Sequence, residues 1–274
     1  GDEIIVIDLY GNTLMNLKSP TLPPHHDIRR LPDGNILTVN FVPEAFDLTM
    51  YGGSAEEIVF GDGYTIYDMN GNIVEQWDCF QEISPVDDPT IMDQLPVAGD
   101  GVGFNFKDDW LHANSIHYDS EGNIYMTFNW RSELWKIERA TGKVLYRIGE
   151  DGNVDISSDA YASGMHSVEP QGVNEILVFD NGTNREDYIS RALLYSVNEN
   201  TMSATLSLKV EFPVNYSSPY MGNVQILNDD LLIYGSTLTN FIVFTDFNGN
   251  VLRTISNIDF QSYRSIYIPT IEKL

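Results

Sequence analysis

The 274-residue chain sets 15 basic residues against 40 acidic ones, a net charge of −25, and 42% of its residues are hydrophobic. That balance repels phosphate backbones and disfavours adhesion to anionic lipid, so no nucleic-acid partner is expected, while the length is enough to bury a large core. Cys79 is the single cysteine, which excludes an intrachain disulfide and any multi-cysteine zinc site.

The first segment, Glu3–Leu17, alternates apolar and polar residues around "LYGN", the pattern of a tight hairpin. It has no basic region followed by an apolar stretch before it, so no signal peptide is visible, and it starts almost inside a strand, as after removal of a leader. No run of about 18 apolar residues occurs anywhere, so no membrane span is expected. Further hairpins follow in pairs: Asp27–Val39 with Tyr64–Trp77, Ser115–Phe128 with Glu133–Gly149, Val168–Asp180 with Arg191–Val210, and Val224–Ser236 with Phe241–Ile255. Their turns, such as "LPDGN", "DMNGN", "DSEGN" and "DFNGN", supply the positive φ that a tight reversal needs. Ser262–Pro269, "SYRSIYIP", reads as a lone last strand. Two unpaired halves at opposite ends are what a closed ring of four-stranded blades leaves behind. The expectation is therefore an all-β chain, 1–274, folded as a single β-propeller domain closed by pairing of its terminal strands. Five blades of about 55 residues are countable, and six fit if a segment precedes the first.

Each blade's first strand lines the channel of a propeller, and the loops leading into these strands share one face. His25 and His26 stand before such a strand in "PPHHDIRRLPDGN", His112 in "DWLHANSIHYD", and His166 in "SGMHSVEPQG". With five histidines in the chain, histidine at three equivalent positions points to a site. His117 lies inside its strand and reads as structural, while Arg131, in "FNWRSELW", sits at a turn within reach of the same face. The chemistry has two branches. Three neutral imidazoles with Asp27 suit a divalent transition metal. Alternatively, one imidazole is a nucleophile while the others and arginine hold an anion. Adjacent histidines usually point apart, so one of His25 and His26 is expected to face the site, with Asp27 orienting a ring. The Asp151, Asn153, Asp155 spacing echoes a calcium loop, but Ile156 stands where the sharp turn needs glycine, so it reads as an acidic surface loop.

In chain order, "HHDIRRLPDGNIL", "DWLHANSIHYDSEGNIYMTF", "ELWKIERATGKVLYRIG", "ILVFDNG" with "SRALLYSV", and "SYRSIYIP" resemble the bacterial aryl-sulfate sulfotransferases that use no nucleotide donor. The resemblance implies a six-bladed propeller, no cofactor and no metal. It implies transfer of a sulfuryl group from a phenolic sulfate ester to a phenol, by a ping-pong route through a sulfohistidine. On that basis His166 is the nucleophile, and His112 and Asn114 position sulfate oxygens and assist the leaving phenol. Arg131 is the sulfate-binding arginine, and His26 completes the anion pocket with His25 as its neighbour. Trp110, Trp130, Tyr216 and Tyr263 are candidates for stacking aryl rings. The family is usually exported, so a periplasmic or cell-surface location is implied. The competing readings are a non-catalytic anion- or ligand-binding propeller and a metal-dependent hydrolase or lactonase.

Overall fold

The computed structural model describes residues 3–18, 22–94, 109–256 and 262–269. Among these the chain is all-β, with eighteen strands and one four-residue α-helix, α1 (Ile91–Gln94). It divides into two compact units, Gly1–Ile116 and His117–Leu274.

The first unit opens with an antiparallel hairpin of β1 (Glu3–Ile7) and β2 (Thr13–Lys18). A four-stranded sheet follows, in which β3 (Pro24–Arg30), β4 (Ile36–Phe46), β5 (Glu57–Tyr67) and β6 (Ile73–Asp78) meander in chain order. Ile4 and Met15 of the hairpin pack on Ile36 and Tyr67 of the sheet in one apolar cluster. The β4–β5 ladder is long, running from Ile36↔Tyr67 to Phe46↔Glu57. Gly61 and Gly63 allow it to approach β6 and the chain just after it closely. A Cβ at Gly63 would stand 2.1 Å from the Trp77 carbonyl oxygen, and one at Gly61 would stand 2.7 Å from Cys79 Sγ. Asp62 lies between these two glycines.

β7 (Ala113–Tyr118) contains the boundary between the units and leads the sheet continued by β8 (Ile124–Phe128), β9 (Glu133–Ile137) and β10 (Val144–Ile148). The next sheet comprises β11 (Met165–Gly172), β12 (Glu175–Asp180), β13 (Arg191–Asn198) and β14 (Ser203–Glu211). The last comprises β15 (Asn223–Asn228), β16 (Leu231–Ser236), β17 (Phe241–Thr245) and β18 (Val251–Ser256). Tyr125, Leu134 and Tyr146 pack against Met165, Val168, Val178 and Tyr195 in one core cluster, and Leu177 and Phe179 pack against Val224, Leu232 and Tyr234 in another. Burying such side chains is worth about 2 kcal/mol each, which is what stacks blade on blade.

All four expected hairpin pairs are thus four-stranded meanders, the repeat of a propeller blade. The other end differs from expectation. Ser262–Pro269 forms no strand, and β1–β2 is a two-stranded sheet among the described residues. The segment is instead held beside β15 by side chains. Asn223 Oδ1 accepts from Ser265 N at 2.7 Å, its Nδ2 donates to Ser265 O at 2.9 Å, and Gln225 Oε1 accepts from Tyr267 N at 2.7 Å. Gly222 N also donates to Tyr263 O at 3.0 Å, so these bonds satisfy the segment's backbone outside a strand ladder.

Candidate active site

In the first unit, the alternation of β3 fails at the histidines. Its register with β4 shifts between His25 and Ile28, and His26 takes φ +53. A bulge of this kind re-aims side chains, and here it puts two sequential imidazoles into one cluster rather than on opposite faces. His25 Nδ1 lies 2.6 Å from His26 Nδ1, and the His26 ring meets the His112 ring edge-on with centroids 4.8 Å apart. His25 also stacks on Phe41 at 3.7 Å. His112, at φ +58, sits in a tight turn closed by Asp109. That carboxylate accepts His112 N at 2.9 Å and the ring Nδ1–H at 2.7 Å. Asp62 accepts Ala113 N at 3.0 Å, and its other oxygen lies 3.1 Å from His25 Nε2. That last approach is off the hydrogen-bond line, so both atoms are buried without a well-directed hydrogen bond. Burial pushes the Asp62 and Asp109 carboxyls up to about 6, Asp109 also feeling the charge of Asp62, and burial holds His25 down to about 3.

Asp27 has a tethering role: it accepts from Ile116 N of β7 at 2.9 Å and from Arg29 Nη1 at 2.9 Å, while the carboxylate against the His112 ring is Asp109. Asn114 is fully buried on β7. Trp110 is buried too, donating its indole N–H to Asp88 Oδ2 at 2.9 Å.

In the second unit, His166 opens β11 and is 6% exposed. Its Nδ1 stands 2.7 Å from Asn181 Oδ1. The orientation of that amide is fixed, because Asn181 Nδ2 donates to Ser218 O at 2.6 Å and to Met221 O at 2.8 Å. An amide oxygen only accepts. His166 Nδ1 therefore carries a ring proton, and in the neutral ring Nε2 carries the lone pair. The amide of Asn129, 3.4 Å from both Met165 O and His166 Nδ1, is too distant to alter that assignment. Asp180 anchors the loop that presents Asn181. It accepts Ser163 N, Gly182 N and the guanidinium groups of Arg185 and Arg191. Gly182, at φ +75, has no room for a side chain, since its Cβ would stand 2.5 Å from Ile189 O.

Arg131 lies in the turn from Asn129 to Ser132, which is tied to the approach to β11 where Ser132 Oγ accepts Gly164 N at 3.0 Å. Its guanidinium is spent on carboxylates, with Glu133 at 3.3 Å and Asp151 at 3.9 Å. A second arginine that sequence reasoning missed adjoins His166. Arg264 donates to His166 O at 2.8 Å and covers the Tyr263 ring at 5.2 Å, and that ring meets His166 edge-on at 6.4 Å. Of the aromatic candidates in this unit, Tyr263 adjoins His166, Tyr216 packs on Phe241, and Trp130 is 55% exposed. His117 pairs with Glu169 at 3.3 Å, in keeping with a structural role. Asp151, Asn153 and Asp155 make no ion cradle: Asn153 Oδ1 accepts Arg147 N, and Asp155 bonds through its backbone to Met202 and Ala204. Among the described residues no three ligand-type side chains converge as a metal site.

The family model described as Arylsulfotransferase (ASST) matches residues 1–265. No curated protein matches the chain. Among solved structures, a protein of unknown function from Bacteroides caccae aligns at TM-score 0.55 and 13% identity, covering 93% of this chain and 75% of that one. Its likeness is one of fold. A virginiamycin B lyase from Staphylococcus aureus aligns at TM-score 0.45 and 14% identity, over 93% of this chain and 63% of the lyase.

Proposed function

The chain belongs to the arylsulfotransferase family, and on that premise we propose that it moves a sulfuryl group between phenols through a sulfohistidine at His166. The observation that carries this reading is the Asn181 amide, which leaves the lone pair of a nearly buried imidazole on Nε2. A neutral imidazole attacks sulfur without a separate base, as a hydroxyl cannot.

In the first half-reaction Nε2 attacks the sulfur of an aryl sulfate. The S–O bond to the ring breaks, its electron pair goes to the phenolate oxygen, and a doubly protonated His112, keeping its Nδ1–H on Asp109, gives that oxygen its Nε2 proton. In the second, an acceptor phenol returns the proton to His112 and its oxygen displaces His166 from sulfur. Charge builds on the leaving oxygen and on the sulfuryl oxygens, so fixed donors do most of the work. Asn114, His26, Arg131 and, as its neighbour, His25 hold the anion in this reading. Arg131 reaches it only by leaving Glu133 and Asp151, and Arg264 is a further cation for that role. The site works outside the cytoplasm, as is usual for the family.

Incubation with an aryl sulfate donor alone tests the proposal. Intact-mass measurement is expected to show one added sulfuryl group, lost in His166→Ala. Aryl sulfate binding without any mass increment, across donors, makes the chain a binding module instead.

A further inference from the structure

The imidazoles of His112 and His166 are each held at Nδ1, but by different chemistry. His112 faces the Asp109 carboxylate and His166 faces the Asn181 amide, both at 2.7 Å. The residue type at each place follows from what surrounds it. Asp109 has a donor at each oxygen: His112 N lies 2.9 Å from Oδ1, and the ring Nδ1 lies 2.7 Å from Oδ2. A carboxylate accepts from both, whereas an amide has one oxygen and would turn its NH2 on the other donor. Asn181 has one donor, His166, and two acceptors, Ser218 O and Met221 O, which an amide satisfies and a carboxylate would not.

Asp109 is itself held in place. Trp110 N donates to Phe60 O of β5 at 3.0 Å, and Asp62 accepts Ala113 N at 3.0 Å, so the turn is tied down on both sides of His112. The Asp109 side chain is fully buried. Burial, and then the charge of Asp62, lifts its carboxyl to about 6, which leaves it ionised at neutral pH and able only to accept. The proton of the contact therefore lies on Nδ1, and the ring exchanges protons through Nε2. A carboxylate does one thing more than an amide: its charge balances that of an imidazolium when one forms. Asn181 fixes a tautomer and balances nothing.

We propose that Asp109 is the positioning residue that makes His112 the proton carrier, the carboxylate-backed imidazole moving the proton while the amide-backed one, His166, attacks sulfur. The roles of the two histidines rest on the function proposed above; the hold of Asp109 on the His112 tautomer does not. With Nδ1–H kept on Asp109 throughout, Nε2 gives its proton to the leaving oxygen. The neutral ring then has its lone pair on Nε2, ready for the proton of the acceptor phenol. In Asp109→Asn, a ring can change tautomer and a backbone N–H cannot. The amide oxygen stays with His112 N, the NH2 faces Nδ1, and the neutral ring carries its proton on Nε2, where it blocks the return of the other.

The test compares the full chain as wild type, Asp109→Asn and Asp62→Asn. Asp62 anchors the same turn at the adjacent N–H, so its variant reports damage to the turn. ¹⁵N shifts of labelled His112 under alkaline conditions are expected to show Nδ1–H in wild type and Asp62→Asn, and Nε2–H in Asp109→Asn. Nε2–H in wild type, or Nδ1–H in a folded Asp109→Asn protein, overturns the proposal. The wild-type spectrum needs no variant, so it decides even where a substituted chain fails to fold. First-turnover release of the phenol is then followed from phenyl sulfate and from 4-nitrophenyl sulfate. Asp109→Asn is expected to slow the first on the order of 10²-fold, and the second, whose leaving oxygen needs little help from an acid, at least about ten-fold less. Asp62→Asn is expected to slow both alike. An equal loss on both donors in Asp109→Asn, or the same selective loss in Asp62→Asn, puts the effect in the turn and overturns the positioning role. A wild type that transfers from neither donor refutes the enzyme reading and the proton-carrier role with it, and the tautomer measurement then decides the hold of Asp109 on the ring alone.

Discussion

At the residue scale, the sharpest feature is that a neutral amide fixes the tautomer of His166, and with it the nitrogen that attacks sulfur in the proposed reaction. The choice was not legible in the sequence. "SGMHSVEP" and "VFDNG" are separate motifs there, and only the fold places Asn181 against the ring while Ser218 and Met221 dictate which way its amide points. Asn181→Leu removes the acceptor while keeping the volume. In this variant the Nδ1–H tautomer is expected to lose its advantage, and kcat to fall on the order of 10²-fold with a smaller change in KM. The substitution also removes the amide donor from Met221 O and leaves Ser218 O with Ser190 Oγ, at about 1–3 kcal/mol, so activity alone would not separate the causes. ¹⁵N chemical shifts of labelled His166 do so. A ring still protonated at Nδ1 in a folded Asn181→Leu protein would refute the assignment. Asp62 and Asp109 had a partial signal: a carboxylate between two glycines in "IVFGDGYTIY", and another three residues before His112. Neither pattern says that the two accept consecutive backbone N–H groups.

At the element scale, one device recurs where strand turns into strand. Asp8, Asp68, Asp119 and Asp246 each accept the backbone N–H of the asparagine four residues on, and the second carboxylate oxygen takes that asparagine's side-chain amide. A glycine at positive φ precedes the asparagine in every case. These bonds lower the carboxyls of Asp8, Asp68 and Asp246 below their ordinary value, with Asn12, Asn72 and Asn250 as the main causes. Stability from these turns is therefore present above pH 3.8 and is lost as pH falls below it. This local chemistry is why the hairpins were legible from residues alone, with boundaries close to those observed. The segment Ser262–Pro269 was misleading for the converse reason: its alternation is strand-like, but its partners are the side chains of Asn223 and Gln225. Two glycine substitutions separate strain from collision. Gly122 has φ +87 and open space around it, whereas a Cβ at Gly249, φ +80, would stand 2.6 Å from Glu211 O. Gly122→Ala is expected to cost about 1 kcal/mol, the left-handed penalty alone, and Gly249→Ala about 2–3 kcal/mol. Denaturant midpoints check this, and equal costs at the two sites would show that the Glu211 contact relaxes freely.

At the scale of the whole molecule, two electrostatic facts pull in different directions: a net charge of −25 spread over the chain, and a few ionisable groups held out of water. The first is generic. Its self-repulsion is screened by salt, so the melting temperature is expected to rise by a few degrees between about 10 mM and 500 mM ionic strength. A fall would mean that attractive pairs such as Lys136 with Glu199, 2.6 Å apart, outweigh the net charge. The second fact is specific and has a sign. His25 has an ordinary value of 6.5 and is held at about 3, so between those limits the unfolded chain binds a proton that the fold refuses. Stability from this source rises with pH and is lost as pH falls through the window. The Asp62–Asp109 pair does the reverse. Its folded carboxyls stand near 6 against an ordinary 3.8, so stability is present at low pH and is lost as pH rises from about 4 to 6. One refused proton and one retained proton oppose each other over that range. Removing either member should therefore unmask the other. Relative to wild type, Asp62→Asn is expected to gain stability as pH rises from about 4 to 6, and His25→Gln to lose it. Because the surface charge is common to all three proteins, it cancels from the comparison. Unfolding free energies from urea titrations at a series of pH values supply the slopes. Parallel slopes in the three proteins would mean that these buried groups exchange no protons on folding.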